Sequence, residues 1–277
     1  MCLIAFAIGV SEKWPLVVAA NRDEHLNRPT LPLARWTTDA GKEVISGRDE
    51  RAGGTWLGLS PGGRLAMLTN VREPERRVGE KSRGELVTRW LEGSMDADQF
   101  MAQTDSAAYG PFNLVLGDFQ SASWHWLTNR ADAPGWHCSA LPPGLYGLSN
   151  GALDTPWPKT LALKQALQAA LMADTQDAMQ AKLLAALQDR QRVSDRDLPG
   201  TGIPLALERA LSSAFVDFPE HGYGTRCSTL LVAHAQTASV AQHWEVLVQE
   251  TTHVRDGGAP LPARSCRLVW QQGDHVP

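Results

Sequence analysis

The chain has 277 residues, 43% hydrophobic and 20% charged, with a formal net charge of -4 and a pI near 6.1. That supplies apolar material for one large core or two small ones. The lack of a basic surplus argues against a phosphate backbone as ligand, so nucleic acid is not an expected partner. Four cysteines, Cys2, Cys138, Cys227 and Cys266, stand far apart with no C-x-x-C pair, which speaks against zinc, attached c-type haem or a disulfide framework and for free thiols in a reducing compartment.

The opening run, Cys2-Leu3-Ile4-Ala5-Phe6-Ala7-Ile8, is apolar but too short to span a bilayer, and it leads into Ser11-Glu12-Lys13. With no basic flank before it, it reads as neither signal peptide nor membrane helix, and a cytoplasmic protein is expected. The apolar stretches Cys2 to Val10 and Pro15 to Asn21, separated by four residues, predict a hairpin of buried strands. Taken alone, Cys2 reads as a small hydrophobe opening a strand. Its position offers a second reading. If Met1 is trimmed, Cys2 carries both a thiol and an α-amine, and an amine with an ordinary pKa of about 7.7 to 8 can take the thiol proton near neutral pH.

Asn21-Arg22-Asp23-Glu24 follows the second apolar stretch. A solvated turn accounts for such a cluster, and so does a site, because the hairpin partner of the first strand brings Arg22 and Asp23 beside Cys2. Arg22 would favour the thiolate, and Asp23 would accept hydrogen bonds from the α-amine. Being adjacent, the two point to opposite faces of a regular strand, so both face Cys2 only if the backbone turns there.

Glycine-rich Gly53-Gly54-Thr55-Trp56-Leu57-Gly58 comes next, then Pro61-Gly62-Gly63 as the turn of another hairpin into Leu65 to Asn70. Ser82 is placed to cap a helix from about Gly84 to Glu92, with Leu86, Val87, Trp90 and Leu91 on one face. A short helix holds Phe100 and Met101. Strands are predicted at Phe112 to Phe119 and Ser123 to Thr128, and another ends at Gly147-Leu148-Ser149-Asn150. Good helix formers run from about Trp157 to Met172 and, after a break near Asp174, from Gln176 to Gln188. Residues 189 to 222 read as loop. Strands return at Cys227 to Ala235, Val240 to Glu250 and Arg264 to Trp270. No repeat or linker divides the chain, so one domain over residues 1–277 is expected, with stacked sheets covered by helices.

Eight histidines show no metal spacing such as H-E-x-x-H, and Gly53-Gly54-Thr55 is not a phosphate loop. Neither a metal nor a cofactor is expected. Asn70 and Asn150 end apparent strands, where asparagine is common in turns, and Arg226 precedes a strand as a solvent-facing charge would. Trp14, Trp36, Trp56 and Trp157 are core or pocket.

Together the Cys2 start, Asn21-Arg22-Asp23-Glu24, Gly53 to Gly58, Leu68-Thr69-Asn70, Ser82-Arg83-Gly84, Phe112-Asn113-Leu114, Gly147 to Asn150 and Gly224-Thr225-Arg226-Cys227-Ser228-Thr229 resemble the NRDE family, also called the transport and Golgi organisation 2 family. The resemblance covers essentially the whole chain. It implies an α+β, four-layer αββα sandwich of two antiparallel sheets, the fold of N-terminal nucleophile hydrolases. Among cysteine-type members, the penicillin V acylases and bile salt hydrolases, Cys2 matches the nucleophile and Arg22 and Asp23 the arginine and aspartate beside it. Asn70 and Asn150 match two asparagines, and Arg226 a late arginine. Their spacing departs from the acylase pattern in one respect: there the arginine and aspartate are not adjacent. Cys227 stands where the pattern has serine and reads as a tolerated small residue.

The chemistry implied is hydrolysis of a small-molecule amide or other acyl bond. The alternative is non-catalytic binding or trafficking of a hydrophobic ligand such as haem or an acyl lipid, since eukaryotic relatives are associated with Golgi organisation, lipid homeostasis and haem trafficking.

Overall fold

Strands from both ends of the chain build one sheet. In a computed structural model describing residues 2–75, 77–130, 135–238, 241–253 and 261–271, β1 (Cys2–Ile8) and β2 (Leu16–His25) form the expected hairpin. It is closed by the Gly9 N–H donating to the Pro15 carbonyl at 2.8 Å. β2 runs on through the polar residues to His25 because a partner waits on its other side: β12 (Tyr223–Ala238) pairs with it from Leu16 to His25. Asn21 to Glu24 therefore lie inside a central strand rather than in a turn after it.

From β2 the chain crosses to a second sheet and winds through β3 (Thr30–Thr37), β4 (Glu43–Asp49), β5 (Leu57–Leu59), β6 (Arg64–Asn70), β7 (Phe112–Asp118), β8 (Ser123–Thr128) and β9 (His137–Ala140), each paired with the next. It returns as β10 (Gly144–Leu148) on the far side of β1. β11 (Asp217–Phe218), β12, β13 (Ala241–Thr252) and β14 (Arg264–Gln271) complete the first sheet, in the order β10-β1-β2-β12-β13-β14 with β11 beside β12. Every pairing within the two sheets is antiparallel.

The two-residue alternation of side chains divides β1 between two cores. Ile4, Phe6 and Ile8 enter the space between the sheets with Leu59, Leu65, Met67 and Val115. Leu3, Ala5 and Ala7 meet Leu163, Leu167, Met179, Leu183 and Leu187 from α3 (Pro158–Ala170) and α4 (Gln176–Leu187), which cover the outer face. Both faces of β1 are dry, which is why its sequence is continuously apolar. On the other side, α1 (Gly84–Glu92) and α2 (Ala97–Ala102) cover the second sheet, with Leu86, Val87, Trp90 and Phe100 buried against Ala66, Leu114 and Leu116. Fully burying each such side chain is worth about 1.5–3 kcal/mol. The result is the four-layer αββα sandwich.

Some local readings are corrected. Ser82 does not cap α1; the N-cap position is Arg83, without a side-chain bond, and the Ser82 carbonyl takes the Glu85 N–H instead. The start of α1 is fixed by the glycine-rich loop: a Cβ on Gly54 would stand 2.5 Å from the Gly84 carbonyl carbon, so the Gly53-Gly54 and Arg83-Gly84 segments meet backbone to backbone. β3, β4 and β9 carry weak signals. Pro32 interrupts β3, an edge strand with a register shift between Leu31 and Ala34, where proline is tolerated. Within the stretch read as loop lie α5 (Leu205–Ala210), β11 and two short 3-10 turns. No helix among the described residues is long and apolar enough to cross a membrane.

Candidate active site

Register places Cys2. It stands opposite Arg22 on β2, and Arg22 stands opposite Cys227 on β12. Directly opposed residues share a face, so Cys2, Arg22 and Cys227 form a row across three strands, pointing between the sheets like Ile4 and Ala20. The guanidinium, 5% exposed, lies 4.3 Å over the Trp56 ring. It is 3.6 Å from the Asp49 carboxylate and 3.9 Å from that of Glu24, and it donates to the Thr30 hydroxyl at 3.4 Å. Trp56 reaches it because Gly47 leaves room: a Cβ there would be 2.2 Å from the indole.

The Cys2 thiol is buried, and burial pushes its pKa up. The positive amino terminus opposes that, the Asp23 carboxylate reinforces it, and Arg22 and a hydrogen bond from the Asp23 backbone N–H to the sulfur favour the thiolate. For Glu24, burial works toward the acid, yet the amino terminus, the His25 N–H, Arg22 and Arg28 outweigh it and hold the carboxyl below its ordinary value. Removal of Met1, expected from the sequence, concerns a residue outside the described ones.

Asp23 follows the strand's alternation. Its side chain leaves by the face opposite Arg22 and accepts from the Thr225 hydroxyl at 2.7 Å, while its carbonyl accepts from the Tyr223 hydroxyl at 2.9 Å. The backbone does not turn between Arg22 and Asp23. Asp23 meets the Cys2 sulfur by its main chain on one side and presents its carboxylate on the other. There the structure gathers residues that the sequence did not single out. Lys159, in the first turn of α3 and 6% exposed, donates to the Leu211 carbonyl at 2.9 Å. Arg72 pairs with Glu208 of α5 at 2.8 Å and lies over Trp157. Burial lowers the Lys159 pKa to about 8 against the raising influence of Asp23, Cys2 and Glu208, with Arg72 adding to the fall. Burial also raises Tyr223 well above its ordinary value, helped by the negative charges of Asp23 and Glu24. The sequence trace of this group is slight: a lysine and an arginine beside apolar residues, far apart in the chain.

Asn150 follows β10 and is fully buried. Its Nδ2 donates to the Asn70 carbonyl at 2.8 Å, its carbonyl accepts the Arg72 N–H at 2.7 Å, and its Oδ1 accepts from Ser149, whose hydroxyl also donates to the Cys2 carbonyl at 3.2 Å. It thus latches the ends of β10 and β6 beside Cys2. Asn70 meets Asn150 through its backbone carbonyl; along β6 it alternates with Thr69, and it is Thr69 that shares the inter-sheet face with Met67. Arg226 is the extra residue of a bulge in β12, between Thr225 and Cys227. Its guanidinium donates to the carbonyls of His25 and Arg28 at 2.8 and 3.0 Å, holding the loop after β2. Arg28 in turn pairs with Asp49 at 2.6 Å. Asn21, first of the four polar residues, has a scaffold role: it donates to the carbonyls of Leu187 and Ala214 and accepts from Ser228.

The arrangement offers a buried thiol with an N–H at the sulfur and a cation opposite it on the neighbouring strand, and a carboxylate on the reverse face of that neighbouring strand. No group of three potential metal ligands occurs among the described residues.

The Transport and Golgi organisation 2 family matches residues 1–245. A Transport and Golgi organization protein 2 homolog of Bos taurus is 34% identical over 248 residues, covering 85% of this chain and 89% of its own. The Homo sapiens homolog is 31% identical over 275 residues, covering 91% and 99%. Among solved structures, a Caenorhabditis elegans N-acylethanolamine-hydrolyzing acid amidase ortholog superposes with a TM-score of 0.51 at 11% identity, over 83% of this chain and 92% of its own. The chain belongs to the Transport and Golgi organisation 2 family and has the N-terminal nucleophile hydrolase fold.

Proposed function

We propose that the chain is a cysteine-type N-terminal nucleophile hydrolase, cleaving an amide or other acyl bond of a small molecule through Cys2 once Met1 is removed. The observation that carries this reading is the register of β1 against β2, which sets Cys2 opposite Arg22 with the Asp23 N–H on its sulfur. In the proposed reaction the α-amine accepts the thiol proton and the sulfur forms a bond to the acyl carbon. The amine then returns the proton to the leaving group as the carbon–nitrogen or carbon–oxygen bond breaks. Water attacks the resulting thioester, releasing the acid and restoring the thiol. Asn150 supplies a second Nδ2 hydrogen, beyond the one on the Asn70 carbonyl, for the oxyanion; a donor in that place is worth roughly a hundredfold or more in rate. Asn70 acts by holding that amide, and Arg226 by fixing the loop whose Arg28 braces Asp49. The free cysteines support a reducing compartment such as the cytoplasm.

The test is acyl transfer measured over a panel of acyl amides and thioesters, on protein whose intact mass shows Met1 absent. Cys2→Ala is expected to abolish turnover. Full activity in that variant would overturn the reading, and tight haem or acyl-lipid binding that survives the substitution would favour a carrier.

A further inference from the structure

A fully buried asparagine that the proposed reaction does not use stands between the sheets: Asn113 of β7. It lies directly opposite Thr69 of β6 and, by strand alternation, shares the face of Val115, which packs in the inter-sheet core with Met67. An amide is costly there unless each of its polar atoms is bonded, and each is. Asn113 Nδ2 donates to the Gly151 carbonyl at 2.8 Å and to the Thr69 hydroxyl at 3.2 Å, while its Oδ1 accepts from Trp126 Nε1 at 3.2 Å. An indole N–H only donates, so the amide cannot turn over without setting N–H against N–H.

The two segments that Asn113 joins are the ones that carry the Asn150 amide. Gly151 follows Asn150, and Thr69 precedes Asn70, whose carbonyl accepts from Asn150 Nδ2 at 2.8 Å. The other ties of this segment lead to the same place. Its Asn150 carbonyl accepts the Arg72 N–H at 2.7 Å, and its Ser149 hydroxyl donates to the Cys2 carbonyl at 3.2 Å. The β1–β10 register, continued two residues past Ile4 and Leu148, brings Asn150 level with Cys2. Beyond Gly151 the chain is tightly folded, since a Cβ there would stand 2.9 Å from Thr155 Oγ1, which itself donates to the Ala152 carbonyl at 2.8 Å.

We propose that Asn113 is a positioning residue for the Asn150 amide: it sets the spacing between the end of β6 and Gly151, and so aims the second Nδ2 hydrogen at the oxyanion formed on the acyl carbon at Cys2. This rests on the reading of Cys2 as a processed nucleophile. Its consequence is that Asn113 acts on rate only through Asn150.

The experiment is acetylation by p-nitrophenyl acetate, on protein whose intact mass shows Met1 absent. The α-amine takes the thiol proton, the Cys2 sulfur bonds to the acetyl carbon, and the carbon–oxygen bond breaks to release p-nitrophenolate, whose absorbance gives the rate; peptide mass locates the acetyl group. Asn113→Leu, close to the amide in size but without its bonds, is expected to lower the second-order rate constant about tenfold, and Asn150→Ala about a hundredfold. Adding Asn113→Leu to Asn150→Ala is expected to cost less than about twofold more. Should Asn113→Leu fail to fold, Asn113→Asp carries the test. Its un-ionised carboxyl keeps an O–H for the Gly151 carbonyl and an acceptor for Trp126, whereas the carboxylate has no donor. Its rate relative to wild type is therefore expected to be near one in acid and to fall as pH rises through a pKa that burial raises. A wild-type rate in folded Asn113→Leu, multiplying losses in the double variant, or a pH-independent ratio in Asn113→Asp overturns the proposal. Met1 retained in the wild type, or no acetyl group on its Cys2, overturns the underlying reading and this proposal together. Acetylation of wild-type Cys2 with unaltered rates in the Asn113 variants overturns the Asn113 role alone.

Discussion

Two thiols flank Arg22, one on each neighbouring strand, and their surroundings drive them apart. Both are buried, and burial raises both pKa values. At Cys2 the further influences are mixed, with the amino terminus, Arg22 and the Asp23 N–H all favouring the thiolate. At Cys227 the next influence after burial is the carboxylate of Glu250, which also accepts its hydrogen bond, and the thiol is held well above its ordinary range despite Arg22. Register alone gives the two cysteines equal standing. The comparison teaches that a cation opposite a thiol does not by itself offset burial: both thiols stay raised, and the one that donates its hydrogen to a carboxylate is raised further.

The largest effect that sharpens the contrast is on turnover. Where Cys2→Ala removes acyl transfer, by about a thousandfold or more if the thiol is the nucleophile, Cys227→Ser is expected to leave it within a few-fold. Loss of activity in both variants would break the distinction. Next comes Arg22, which serves both thiols. Arg22→Leu deprives Asp49 and Glu24 of a shared cation and Trp56 of its stacking partner, and a cost of about 2–3 kcal/mol is expected from urea unfolding midpoints, below the range for a fully buried pair because both carboxylates are partly wet. Arg22→Lys keeps the charge without the planar fork and is expected to recover part of that loss.

A comparable effect is expected from Lys159 through pH. Its folded pKa, about 8, lies below its unfolded value of about 10.4. Between those two values the unfolded chain binds more protons, so this residue's contribution to stability rises with pH across the window and is constant below it. The stability difference between wild type and Lys159→Gln is therefore expected to move toward the wild type by about 2–3 kcal/mol from pH 7.5 to 10.5. A difference independent of pH across this window would show that burial does not lower the Lys159 pKa in the folded protein.

These two regions also mark what the sequence could and could not disclose. The hairpin of β1 and β2, α1 with its face of Leu86, Val87, Trp90 and Leu91, and the long strands near the C-terminus were legible because periodicity and turn residues act locally. The αββα architecture and the family followed from motifs whose order is preserved. Arg22 opposite Cys2 was accessible as hairpin geometry, and the opposed direction of Asp23 followed from strand alternation. Glu250 and Lys159 were not accessible: each acquires its role from a strand or helix that is distant in sequence, and an isolated lysine or glutamate carries no periodic signature. The same holds for Asn150, whose buried amide is explained by the Asn70 carbonyl on another sheet rather than by the turn its neighbours suggest.

The smallest effect tests the comparison at its source, on Glu250 itself. Leu33 donates its N–H to Glu250 at 2.8 Å, so Glu250→Gln keeps an acceptor for that bond while deleting the charge. Burial holds the carboxyl above its ordinary pKa, which means that the folded protein carries a penalty above the unfolded value, relieved as pH falls through the folded one. The glutamine variant is therefore expected to gain stability at pH 7 and to lose that advantage in acid. With the anion gone, the Cys227 thiol falls toward its ordinary range while Cys2, separated from Glu250 by β2 and β12, changes less. Alkylation by iodoacetamide at pH 8.5, read peptide by peptide, is expected to favour Cys2 over Cys227 in the wild type and to narrow by a few-fold in Glu250→Gln. The gap does not close, because burial, the first cause of the Cys227 shift, is untouched. An unchanged ratio would mean that burial alone separates the two thiols, and the contrast would then rest on access to the sulfur rather than on charge.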